Sequence, residues 1–241
     1  MPRVSAVKRV GHKGADLIAP GNTRESFDAA LAAGVDMIEF DVLPAREGAF
    51  DDLVLAHDYR VLAKRRALAL DEGLEHLARP EFEGLELDVD LKLPGYEDRV
   101  VERLVAHNLL DRSLITSQYR ESLDRVRAVE PRARLGWSVP RARRDYTAHK
   151  LTAAPALALL IAGRTALPSL AARAIRAGKV DAIMSHWRLV TPRLVRGVRE
   201  AGGELYVWTV DDLANIRRLV ELGVDGVITN DPRLFGSLAP A

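Results

Sequence analysis

Short apolar, β-branched runs alternate with stretches of helical period along the whole chain, and this alternation restricts the fold more than any other feature. The runs cover residues 7–11, 37–42, 85–92, 113–117, 134–139, 181–185, 204–210 and 226–229, with a shorter extra run at 53–56. Apolar residues spaced for one face of a helix mark 23–33, 96–108, 120–129, 192–201 and 211–222. Asn22-Thr23 reads as a helix start. Gly34, Gly202 and Gly223 each follow a last turn, where a left-handed residue ends a helix. Strand-helix alternation of this kind builds a parallel sheet. Eight such units in 241 residues match one closed (β/α)8 TIM barrel, taken as a single domain over residues 1–241. An open doubly wound sheet is the alternative, but no Gly-rich dinucleotide fingerprint follows the first run.

Composition removes several function classes. The chain has no cysteine, which excludes disulfides, thiolate zinc sites and a cysteine nucleophile. Its formal net charge is +1 with both signs interspersed, which argues against a nucleic-acid-binding surface spread over the domain. The first ten residues hold no apolar core of signal-peptide length. The most apolar stretch, 151–177, is interrupted by Pro155, Gly163, Arg164 and Pro168, so no spanning helix is expected and a cytoplasmic location is.

The polar residues that interrupt the apolar runs carry the chemistry. Residues two apart in a strand share a face, so Glu39 and Asp41 project together, as do Asp88, Asp90 and Lys92. Carboxylates inside apolar strands are costly unless they bind a cation or do chemistry. Oxygens converging from separate strands suit a hard divalent metal, Mg²⁺ or Ca²⁺, with Mn²⁺ also accepted. His12 follows the first run and His57 the short extra one, and a histidine pair can supply a general base and a general acid. In a (β/α)8 barrel these strand ends meet at one mouth. Asp88 lies one layer deeper than Asp90, either orienting a neighbour or, with the register moved by two, acting as the ligand itself. Glu86 continues that face toward the barrel bottom, where a structural salt bridge is expected.

Taken in order, these segments resemble the glycerophosphodiester phosphodiesterase family. That family opens with a His-Arg-Gly turn, a Pro-Glu-Asn-Thr helix start, Glu-x-Asp and a His-Asp pair. Here the series reads His12-Lys13-Gly14, Pro20-Gly21-Asn22-Thr23, Glu39-Phe40-Asp41 and His57-Asp58. The family's third strand ends in Glu-x-Lys, here Asp90-Leu91-Lys92, and the segments 208–211 and 223–232 resemble its last two strands. The resemblance implies a phosphodiesterase-type barrel with His12 and His57 as the catalytic pair. It implies Glu39, Asp41 and Asp90 as metal ligands, and Lys13 and Lys92 as phosphate-binding cations. The implied activity is metal-dependent cleavage of a small glycerophosphodiester to glycerol 3-phosphate and an alcohol. A lysophospholipase D or sphingomyelinase D-like lipid phosphodiesterase is the alternative, with a noncatalytic phosphate-ligand-binding barrel as a third reading. Lys13, Gly21 and Asp90 depart from the family pattern; Asp90 is one methylene shorter than glutamate.

Trp208, ending the seventh run, and His186, following the sixth, are candidates for a substrate wall. Ser117 and Tyr119 are weaker candidates of that kind. Lys64-Arg65-Arg66 is read as a solvated helix end. His76, His107 and His149 are read as surface or packing residues. The apolar stretch 151–177 either packs on the barrel or offers a peripheral membrane contact. No protein partner is legible.

Overall fold

The computed structural model describes residues 7–141 and 153–238. In chain order the strands are β1 (Lys8–Gly11), β2 (Met37–Pro44), β3 (Leu53–Leu55), β4 (Leu68–Ala69), β5 (Glu86–Leu91), β6 (Ser113–Ser117), β7 (Arg134–Val139), β8 (Ala182–His186), β9 (Glu204–Trp208) and β10 (Gly226–Thr229). The helices are α1 (Arg24–Ala32), α2 (Tyr59–Leu62), α3 (Leu70–Leu77), α4 (Glu97–Ala106), α5 (Arg120–Val129), α6 (Ala153–Arg176), α7 (Pro192–Glu200) and α8 (Leu213–Leu222). Eight strands, all but β3 and β4, pair in parallel, and β1 joins both β10 and β2, so the barrel closes. This is the expected closed (β/α)8 barrel. The short β3 and β4 form an antiparallel flap on the far end of β2, with Val42 opposite Leu55 and Val54 opposite Ala69.

Local signals account for most boundaries. Thr23 and Ser26 form a reciprocal capping box at α1, and Gly223 ends α8 at φ 82°. Three features were not anticipated. β4 is only two residues long. α3 follows the basic run 64–66, although Leu70, Leu74 and Leu77 show the helical period and are buried. α6 runs unbroken past Pro155, Gly163, Arg164 and Pro168, the four residues expected to interrupt it. Pro155 falls in its first turn, where a proline removes no helix bond, and Pro168 is carried in its interior. His149 lies outside the described residues, as do 151 and 152.

Two cores result. The larger lies between the strands and the helices and includes Phe27, Phe40, Leu87 and Leu135. The smaller fills the barrel with Val10, Met37, Leu114, Met184, Tyr206 and Ile228. Inward positions stack in layers fed by alternate strands. The lowest layer is ionic: Glu86 accepts from Lys8 at 2.6 Å and from Arg134 at 2.7 Å, and Arg134 reaches Glu204 at 2.9 Å. Glu86 is therefore in the salt bridge expected of it. Burial raises its pKa, but hydrogen bonds from Lys8 and Arg134 outweigh burial and leave it lowered. A carboxyl lowered on folding stabilises the fold at neutral pH and loses that contribution as pH falls through its folded pKa. Replacing Arg134 with methionine is thus expected to remove about 1–2 kcal/mol at neutral pH, a modest value because 34% of that side chain is open to water. Urea denaturation should show the deficit shrinking on acidification.

Candidate active site

Above the apolar layers the inward positions become polar. Glu39 and Asp41 on β2 stand beside Asp88 and Asp90 on β5 in register. One oxygen each from Glu39, Asp41 and Asp90 can be chosen so that all lie within 4.8 Å of one another. Lys92 reaches into this group, its ammonium 2.5 Å from Asp41 Oδ1 and 2.6 Å from Asp90 Oδ2. Asp41 is wholly buried, and Asn22 grips it twice: Asn22 Nδ2 donates to Oδ2 at 2.8 Å, and the Asp41 amide donates to Asn22 Oδ1 at 3.0 Å. Asn22 sits at φ 61°, a left-handed conformation asparagine tolerates better than most residues.

Asp41 Oδ1 accepts no well-formed hydrogen bond despite full burial. Its neighbours are cations or potential cations, Lys92 at 2.5 Å and His57 Nδ1 at 3.9 Å. Three carboxylates with no sulfur donor, their oxygens converging from two neighbouring strands, fit a hard divalent ion. Crowding sets the charges apart. Burial and then Asp41 push the Glu39 carboxyl well above its ordinary range. Burial would raise Asp41 as well, but Lys92, His57 and Lys13 overcome it and hold Asp41 well below that range. Asp88 is deeper, pushed up to about 8 by burial, and takes a hydrogen bond from Thr116 Oγ1 at 2.7 Å. It supports the layer from below and is not among the three clustered carboxylates.

The two histidines flank the carboxylates. His12 follows β1, with Nε2 3.8 Å from Glu39 Oε2. The turn after it is tight: Lys13 has φ 51° and Gly14 φ 84°. A Cβ at Gly14 would fall 2.6 Å from the Ser26 backbone, so only glycine fits there. His57 stands between β3 and Asp58, which caps α2 by accepting from the amides of Arg60 and Val61. The β3 flap thus carries His57 to the barrel mouth. Burial lowers the pKa of both, that of His12 to about 4.

The cleft, about 140 Å³, is lined by His12, Glu39, His57, Asp90 and Lys92 and faced by Trp208 and Met184. Trp208 donates to the Met184 carbonyl at 3.0 Å, which fixes its ring. His186 does not line the cleft; it meets the Trp208 ring edge-on at 5.2 Å and stacks on Trp187. The Lys13 ammonium turns to Asp16 at 3.4 Å, while its backbone N–H donates to Glu39 Oε2 at 2.7 Å. Asp16 also accepts from the Gly21 amide at 2.7 Å, and a Cβ at Gly21 would fall 2.5 Å from that carboxylate. Arg65 donates to the Gly21 carbonyl, so part of the basic run braces this turn. Ser117 is buried against the Leu91 carbonyl.

Sequence reasoning missed the support of His12. Its Nδ1 lies 2.5 Å from Asn230 Oδ1. Asn230 Nδ2 donates to Asp211 Oδ2 at 2.6 Å, which orients the amide so that its oxygen faces His12. An oxygen acceptor requires the proton on Nδ1, leaving Nε2 toward the carboxylates. Asn230 and Asp211 were visible only as parts of C-terminal segments, with no spacing that tied them to His12. Asn230→Ala is expected to lower kcat about ten- to a hundredfold and to alter the acid limb of the pH–rate profile. An unchanged profile would exclude this positioning role.

Residues 12–101 and 115–234 match the model of the glycerophosphoryl diester phosphodiesterase family. The chain belongs to that family. Both histidines, the carboxylate cluster and Lys92 fall inside the matched segments. A glycerophosphodiester phosphodiesterase of Caldanaerobacter subterraneus is 25% identical over 271 residues, spanning 95% of this chain and 96% of its own. The crystal structure of the glycerophosphodiester phosphodiesterase from Thermotoga maritima superposes with a TM-score of 0.69 at 18% identity, covering 97% of this chain and 99% of its own. An Oleispira antarctica phosphodiesterase solved with its product sn-glycerol-3-phosphate gives a TM-score of 0.69 at 20% identity, covering 95% and 94%. At these identities the two structures establish the barrel shared across the family.

Proposed function

We propose that this family member hydrolyses glycerophosphodiesters to glycerol 3-phosphate and an alcohol, with His12 as general base and His57 as general acid. The main support is that His12 lies 3.8 Å from Glu39 and His57 3.9 Å from Asp41 of the Glu39, Asp41 and Asp90 cluster, with both histidines lining one cleft. Glu39, Asp41 and Asp90 would hold a divalent cation, Mg²⁺, Ca²⁺ or Mn²⁺, which when bound supplies positive charge to a nonbridging phosphate oxygen. Lys92 adds fixed positive charge beside the phosphate, and Lys13 adds a more distant one.

The division of labour between the histidines follows from their anchors. Asn230 holds the His12 Nδ1 proton, so Nε2 is the nitrogen free to take a proton from the attacking oxygen. His57 is about half exposed at the cleft edge, where it can protonate a leaving alkoxide that departs toward solvent. Trp208 forms an apolar side for that group.

The test is alcohol release from glycerophosphocholine, glycerophosphoethanolamine and lysophosphatidylcholine, with Mg²⁺, Ca²⁺, Mn²⁺ or chelator. Metal-dependent cleavage of the soluble diesters is expected. Cleavage confined to the lysolipid would select the lipid-acting alternative, and silence with every metal would leave the phosphate-binding barrel.

A further inference from the structure

The wall of the cleft beyond Lys92 carries polar side chains that the catalytic assignment leaves unused. Asp90 on β5 is in register with Thr116 on β6, and Thr116 with Gly136 on β7. Two residues further along each strand, Lys92, Gln118 and Ser138 form one row, and all three line the cleft. Neighbouring strands lie about 4.8 Å apart, so the two polar side chains start about one and two strand spacings from the lysine placed at the phosphate.

Ser138 is 7% exposed, and its hydroxyl makes no hydrogen bond among the described residues. The buried hydroxyls of Thr116, Ser117 and Thr229 are committed, to Asp88, the Leu91 carbonyl and Asp211. The half-buried Gln118 amide group is, like Ser138, without a side-chain partner among the described residues. The layer beneath is filled: a Cβ at Gly136 would fall 2.7 Å from Thr116 Cγ2 and 3.2 Å from Met184 Sδ. A hydroxyl withdrawn from bulk water in this way costs free energy until something in the cleft bonds to it.

We propose, on the phosphodiesterase reading above, that Gln118 and Ser138 bind the free hydroxyls of the substrate's glycerol end and so select glycerol diesters over other phosphodiesters. A serine hydroxyl and a carboxamide each donate and accept, as a pair of vicinal hydroxyls requires. A quaternary ammonium head group offers them no hydrogen bond. Topology supplies the direction. His57, which protonates the leaving alcohol in that reading, comes from the flap on β2, whereas Gln118 and Ser138 lie on the other side of β5. The end they hold is therefore the one that stays on phosphorus.

The test compares glycerophosphocholine with propylphosphocholine, which lacks both hydroxyls, in the wild type, S138A and Q118M. The wild type should favour the glycerol diester by about ten- to a hundredfold in kcat/KM, because a site built to bond hydroxyls rejects the analogue without them. Each variant should cut that ratio about three- to tenfold. A role confined to folding or to the phosphate would lower both substrates together, and an unchanged ratio would overturn the proposal. So would a shift in preference between choline and ethanolamine diesters at a constant glycerol-to-propyl ratio, which would place the two residues at the leaving alcohol. Calorimetry with glycerol 3-phosphate and propyl phosphate in Mg²⁺ separates this outcome from turnover. Tighter binding of glycerol 3-phosphate, reduced toward parity in both variants, is expected even if no diester is cleaved. Equal affinity for the two anions in the wild type, or no binding of either, would overturn the subsite.

Discussion

His12→Ala is expected to lower kcat for glycerophosphocholine by about 10²- to 10⁴-fold, the range associated with loss of a positioned general base. His57→Ala should fall in the same range for that substrate. The two should separate when the leaving group is changed. An alkoxide needs a proton as it departs, whereas p-nitrophenolate does not. Bis-p-nitrophenyl phosphate should therefore recover much of the lost rate in His57→Ala and little in His12→Ala. Metal titration followed by calorimetry should show both variants still binding Mg²⁺, since neither histidine belongs to the carboxylate cluster. Recovery in His12→Ala alone would reverse the assignment of acid and base. Near wild-type turnover in both variants would rule out the pair.

The second large effect concerns Lys92. Its ammonium bridges Asp41 and Asp90 in a nearly closed environment, and Asp41 has no exposure at all. Lys92→Met removes the cation and leaves the carboxylates facing one another. Breaking a buried ion pair from one side costs about 3–5 kcal/mol. For a chain of this size that corresponds to a fall in Tm of roughly 6–20 °C, with the lower end expected because burial already favours protonation of Glu39 and Asp90. Added Mg²⁺ should recover most of the loss, because a divalent ion on Glu39, Asp41 and Asp90 replaces the missing charge. The rise in Tm on adding Mg²⁺ should therefore be larger in Lys92→Met than in the wild type, while turnover stays impaired for want of positive charge at the phosphate. Equal Mg²⁺-induced shifts in the two proteins would show that Lys92 and the metal do not share these carboxylates.

Much of the barrel is readable from sequence because its two periodicities are unmixed. β6, β7 and β10 begin and end where the apolar runs do, and α5 matches its expected limits. Polar residues at inward positions stand out for the same reason, so Glu39, Asp41, Asp90 and Lys92 could be found before their contacts were known. The failures also have physical causes. β4 and α3 are short and follow a charged run, so their signals lie below what a local pattern can carry. α6 was obscured by prolines that a helix tolerates at its first turn or, once packed, in its interior. The companions of Asp41 and His12 were hidden in a different way. Asn22 and Asn230 are neutral and lie in loops at opposite ends of the chain. Barrel closure, which pairs β1 with β10, brings Asn230 to His12. That closure is a long-range event with no local signature.

The ionic floor of Lys8, Glu86, Arg134 and Glu204, capped by Met37, Leu114 and Tyr206, shuts one end of the barrel. Everything that enters must therefore leave by the same door. The alcohol and glycerol 3-phosphate have to depart in sequence past His57 and Trp208, and whichever stays longer blocks the next diester. Inhibition by the slower product should be competitive with substrate, and traffic through a single doorway then limits how fast the chemistry can be repeated.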